Sequence, residues 1–230
     1  MTIPEEGRER LQKYIDVAEY QLKILGETRT ILCGVMTTIT AAGENSPLKA
    51  QVLTEAVEDE EVRNAMELCA LFKAESACLI GDYWQATGFR KALYARTLAL
   101  VTFESTLTLR KLLGPKFRNA IVARLGSNSG TPLKSIHGRI CKIHEEARTQ
   151  FGDLRNNLVG HRIQDAETRQ KLLSEFDGEL VVALAVKLHP ILKELYENLV
   201  PYTLKSATAL REIAASIRAD IGPGVSKTSS

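Results

Sequence analysis

From Leu133 onward, apolar residues recur at Ile136, Ile140, Ile143, Ala147, Leu154 and Leu158, three and four apart with one slip near Phe151. That spacing marks one buried stripe of a helix of roughly seven turns or more. Helical character extends almost throughout the chain, which is rich in Leu, Ala, Glu, Lys and Arg. Strand-like alternation closed by turn dipeptides is absent. The pattern predicts an all-α fold, a single helical bundle with additional flanking helices.

Breaker residues divide the pattern. A long amphipathic helix or broken pair is expected from about Glu5 to Ala42, ending before "GENSP". Ser46 is placed to cap the next helix, with Pro47 at its first position, and that helix runs towards Asp82. "ATGF" at 86–89 interrupts, after which helix continues to Leu113. "GP" at 114–115 is a break, followed by the short helix "KFRNAIVARL". The loop "GSNSGTP" at 126–132 offers Thr131 as cap and Pro132 as opening residue of the striped helix. Asp165 can cap "AETRQKLLSEF", and Gly178 separates that helix from a last pair broken at Pro201. No internal repeat is seen. One domain is expected over residues 1–222, with a disordered tail at 223–230.

Composition changes this picture little. Of 230 residues, 44% are hydrophobic and 25% charged, and the formal net charge is +2, which fits one globular core and excludes a polycation. The longest apolar run, "LVVALAV", is far short of the ~20 residues a membrane span needs. The opening "MTIPEEGRER" lacks an apolar signal-like core, and a cytoplasmic location is expected. Cys33, Cys69, Cys78 and Cys141 form no CxxC pair and read as buried thiols rather than a disulfide framework.

The distribution of charge is more informative than its sum. Between Ser105 and His144 there is no Asp or Glu, yet there are eight Lys and Arg residues, whereas "EAVEDEEVRNAMEL" at 55–68 is strongly acidic. Such segregation points to an anionic partner such as a phosphate backbone. Equally, it fits a basic face that pairs with the acidic segment within the fold or across a dimer. Lys134, Arg139, Lys142, Arg148 and Arg162 are the candidate RNA-binding side chains. Phe117 is the one aromatic in the basic stretch, so weak base stacking and loose sequence preference are expected there.

Beside the buried stripe runs a second one, His137, Cys141, His144, Arg148 and Arg155, in steps of four, three, four and seven. Three ligand-type side chains along two turns of one straight helix converge poorly on one ion, so no metal is expected, and no cofactor either. His189, before Pro190 in an apolar helix, reads as structural. His161 follows Arg155 by six residues, about 240° around an unbroken helix. Either Gly160 lets the chain turn back, or the two residues meet across a two-fold axis. A helix ending at Gly160, with Arg155 in its last turn, explains the same residues without chemistry.

The segment "LRNNLVGHR" resembles the signature of the HEPN superfamily, an Arg, a polar residue, and a His five to seven positions beyond the Arg. The flavour is similar to bacterial HEPN proteins of the abortive-infection type. The resemblance implies a helical, usually dimeric domain, and for many members a metal-independent endoribonuclease of defence or toxin–antitoxin systems, with RNA and an antitoxin or defence protein as partners. It assigns Arg155, Asn156 and His161 to catalysis. The tyrosine that follows the histidine by two residues in members silenced by a nucleotidyltransferase is Ile163 in this chain, so that regulation is not expected. Other members are silent RNA-binding or scaffold modules. The chemistry suits the residue types: histidine moves protons near neutral pH, and an arginine offers a bidentate cation to a phosphoryl group. The attacking group would be the RNA's own 2′-hydroxyl.

Overall fold

The breaks in the sequence become the boundaries of six α-helices in a computed structural model that describes residues 5–41, 47–154 and 176–221. These are α1 (Glu5–Ala41), α2 (Pro47–Gln85), α3 (Gly88–Leu112), α4 (Pro115–Leu125), α5 (Gly130–Leu154) and α6 (Gly178–Ile221), with a 3-10 turn at Ser127–Ser129. Among the described residues there is no strand, and the fold is all-α. No described helix is long and apolar enough to cross a membrane.

Contacts fix the helix directions. Leu11 lies over Gly81 and Arg29 reaches Glu60 and Glu67, so α1 and α2 are antiparallel. Ser76 meets His189 and Met66 meets Thr203, which sets α6 antiparallel to α2. Thr106 meets His144 and the Arg110 carbonyl meets His137, which sets α5 antiparallel to α3. One buried apolar cluster draws on all six helices, from Leu25 through Phe72, Leu98, Ile121 and Ile140 to Leu195. The α5 stripe supplies Leu133, Ile136, Ile140, Ile143 and Ala147 to it. Burying each such aliphatic side chain stabilises by roughly 1.5–3 kcal/mol, so Ile140→Ala should cost about 2–5 kcal/mol. Phe151 is no slip in that stripe: it is buried and stacks edge-on against Phe176, with ring centroids 5.8 Å apart. Leu158 lies outside the described residues.

Several boundaries differ from those read in the sequence. α5 begins at Gly130 rather than after a Thr131 cap. Gly126, at φ 95°, turns the chain out of α4, and Ser129 closes a 3-10 turn by donating both its N–H and its hydroxyl to the Gly126 carbonyl. The chain is then already helical at Gly130, and Pro132 falls in the first turn, where its missing N–H had no partner. α6 is not broken at Pro201; it runs unbroken through Pro190 and Pro201. Both prolines are exposed while Leu188, Leu192, Leu195, Leu199 and Tyr202 are buried. Packing holds the helix continuous, and water can take the carbonyls that the prolines leave unbonded.

α6 starts at a cap the sequence reading missed. The Asp177 carboxylate accepts the N–H groups of Glu179 and Leu180 at 2.9 and 3.1 Å, as an N-cap should. Gly178 follows because nothing larger fits, since a Cβ there would lie 2.8 Å from the Tyr83 ring and 3.0 Å from Ala95. The thiols also divide differently: Cys69 is buried, Cys141 half-buried, and Cys33 and Cys78 exposed. Both exposed thiols lie on helix faces turned away from the core.

Candidate nucleic-acid interface

α5 leads directly into the Arg155–His161 segment. Arg155, Asn156, His161 and Arg162, and the proposed cap Asp165 with its helix, lie outside the described residues. The chain leaves the described part at Leu154 and returns at Phe176. Since Phe151 stacks on Phe176 and Gly178 abuts Tyr83 and Ala95, both points sit at the bundle end that carries the α2–α3 turn.

His137 and His144 of the second stripe face α3. His144 is 2% exposed, with Nδ1 3.1 Å from the Thr106 hydroxyl and its ring 5.0 Å from Phe103. Thr106 also donates to its own helix, at Thr102 and Phe103, so the pair bolts α3 to α5. Burial pushes the His144 imidazole below its ordinary range, and Arg110 acts in the same direction. A histidine so enclosed holds two helices together and has no path to a substrate. His137 sits about two turns nearer the start of α5, with Nε2 3.1 Å from the Arg110 carbonyl and 3.6 Å from Cys141 Sγ. It satisfies one of the carbonyls orphaned at the end of α3. Among the described residues, no three His, Cys, Asp or Glu side chains gather to hold a metal.

The basic stretch separates into bound and open cations. Arg139 pairs with Glu194 of α6 at 2.5 Å, and Arg148 pairs with Glu145 at 2.8 Å. Arg110 shares Glu145 at 2.9 Å, which makes an Arg–Glu–Arg ridge across α3 and α5. The hydrogen bond from Arg148 holds the Glu145 carboxyl below the usual carboxylate range. Lys116 reaches Glu61, in the acidic segment, at 3.7 Å, and Arg118 donates to the Leu113 carbonyl. Two of the candidate RNA-binding residues, Arg139 and Arg148, are therefore engaged within the fold. The pairing expected between the basic and acidic segments is present between Lys116 and Glu61, while Arg110 and Arg139 find their partners on α5 and α6.

Lys134 and Lys142 are exposed, and neither has an ion pair among the described residues. Lys142 helps to line an open groove of about 600 Å³ between α5 and α6, together with Cys141, Glu145, Glu146, Thr149, Leu180 and Leu184. Its two glutamates beside Lys142 give it mixed sign, so it suits an anionic strand less well than an open cation such as Lys134. The Arg110–Glu145–Arg148 ridge escapes the charge pattern, because Glu145 stands one residue beyond the acid-free stretch. The i, i+3 spacing of Glu145 and Arg148 was the available signal.

Comparison with family models, curated proteins and solved structures returned no match for this chain.

Proposed function

We propose that this chain is a HEPN-type metal-independent endoribonuclease of a bacterial defence or toxin–antitoxin system. The observation that carries the reading is the sequence Arg155-Asn156 followed by His161, reached directly from the described end of α5 in an all-α bundle. On this reading Arg155 donates to the scissile phosphate, His161 takes the proton of the attacking 2′-hydroxyl, and Asn156 orients His161 or binds a phosphate oxygen. Lys134 and Lys142 hold the strand through its phosphates without reading bases. A second copy of the chain would bring Arg155 of one protomer to His161 of the other if the helix continues through both.

The ion pairs of Arg110, Arg139 and Arg148 favour a second reading, a silent helical module whose cations mainly serve its own fold. One experiment separates the two. Purified protein is incubated with mixed RNA in EDTA, and the product ends are determined. The nuclease reading expects 2′,3′-cyclic phosphate and 5′-hydroxyl ends, with cleavage lowered about 100-fold or more in Arg155→Ala and in His161→Ala. Both variants should keep the parent's helical circular dichroism. No cleavage by the parent, with both variants folded, establishes the silent module.

A further inference from the structure

The charge segregation is wider than the stretch from Ser105 to His144. Between Asp82 and Glu145, Glu104 is the one acidic residue, against eleven Lys and Arg. The first third of this span, residues 83–103, has no acid at all and holds five of the chain's thirteen aromatic side chains. Three of these, Tyr83, Trp84 and Phe89, surround the α2–α3 turn. Gly88, at φ 55°, lets the chain reverse there.

Tyr83 is buried, and Trp84 half-buried, under Lys91, whose ammonium lies 4.7 and 5.4 Å from their ring centroids. Phe89 behaves differently. It is 73% exposed, more than any other large apolar side chain described. It shares a face of α3 with Leu93 and Arg96, at steps of four and three. The Arg96 guanidinium lies 5.6 Å from the Phe89 ring centroid, held by a hydrogen bond from its Nε to the Ala92 carbonyl. Arg90 is exposed beside it. None of Arg90, Lys91 and Arg96 has a carboxylate partner among the described residues. Two acids of this end are Asp82, exposed in the last turn of α2, and Asp177, whose carboxylate is occupied in capping α6.

We propose that Phe89, flanked by Arg90 and Arg96, is a stacking platform for an unpaired base of a single-stranded RNA whose phosphates lie on the arginines. The proposal rests on the ribonuclease reading and gives it a substrate class. An aromatic ring left in water beside three cations that have no carboxylate partner among the described residues offers what single-strand binding needs: a π-face for any base and positive charge for the backbone. Its position fits, because the antiparallel packing of α3 on α5 puts the start of α3 at the bundle end where the Arg155–His161 segment leaves Leu154. A strand stacked on Phe89 would pass near the described end of α5.

The test uses the full chain and a fluorescent 2′-O-methyl single strand, which cannot be cleaved through its 2′ position, with anisotropy as readout. Phe89→Ala should weaken binding about tenfold, Phe89→Trp should retain it, and a duplex of the same sequence should respond to neither change. Arg90→Glu with Arg96→Glu should flatten the salt dependence of single-strand binding. Phe89 is exposed, so Phe89→Ala should keep the parent's thermal midpoint. Parental affinity in Phe89→Ala overturns the platform and leaves the ribonuclease reading standing. Failure of the parent to bind any RNA overturns both. Loss of a protein partner from Phe89→Ala, with RNA affinity intact, reassigns the patch to that partner and also overturns the platform.

Discussion

Two seams of the bundle use the same device in different surroundings. Between α2 and α6, the Ser76 hydroxyl lies 2.8 Å from His189 Nε2 and also donates to the Phe72 carbonyl of its own helix. Between α3 and α5, Thr106 and His144 repeat the arrangement. The α2–α6 pair is packed on both sides, by Phe72 and Tyr14, with the buried Lys73 nearby. Burial, reinforced by Lys73, pushes the His189 imidazole down to about 4, and burial pushes the Cys69 thiol, one turn along, up to about 12. The α3–α5 pair instead borders the Arg110–Glu145–Arg148 ridge at the surface. A hydroxyl–imidazole bolt is therefore a packing device here, and the charges that could meet a ligand lie beside it rather than in it.

The largest expected effect separates the two bolts. His189→Ala removes a buried ring that touches two aromatics and should cost about 3–4 kcal/mol in urea unfolding, while His144→Ala, whose ring meets Phe103, should cost about 2. Equal costs, or the reverse order, would break the comparison.

Acid is the next probe. An imidazole at about 4 in the folded chain and 6.5 unfolded binds fewer protons when folded, so stability is complete above pH 6.5 and is lost as pH falls towards 4. The shift corresponds to about 3 kcal/mol, and His144, lowered in the same direction, adds to the loss. Thermal midpoints between pH 7 and 4 should fall less steeply in His189→Gln than in the parent; identical slopes would remove His189 as the cause.

The smallest effect is expected on the ridge. Arg148→Ala breaks an exposed pair and should cost under about 1 kcal/mol, diminishing in salt. A loss as large as that of His144→Ala would make the ridge part of the seam.

Much of this architecture was legible because periodicity and breakers act locally. The α5 stripe, the Gly114–Pro115 break and the structural part played by His189 all follow from spacing and residue type. The run of α6 through Pro201 did not, since burial of Leu199 and Tyr202 outweighs a local breaker, and only tertiary contacts reveal that burial. Nor did the pairing of Arg139 with Glu194, 55 residues apart in sequence. Spacing within one helix cannot show which cations another helix will neutralise. The fate of Arg110, Arg139 and Arg148 is a tertiary fact, whereas the open state of Lys134 and Lys142 agrees with what their positions opposite the stripe predict. For the Arg155–His161 segment, sequence remains the whole of the argument.

The two prolines of α6 have a mechanical consequence. Pro190 and Pro201 are eleven residues apart, about 1100° of rotation, which is within about 20° of three full turns. Both interruptions of the hydrogen-bond ladder therefore fall on one side of the helix, and that side faces water. Bends at the two points add instead of cancelling. A rod about 66 Å long, weakened twice along one edge, is stiff in one plane and compliant in the other. It yields by bowing over the core, while its buried edge of leucines resists any sideways shear.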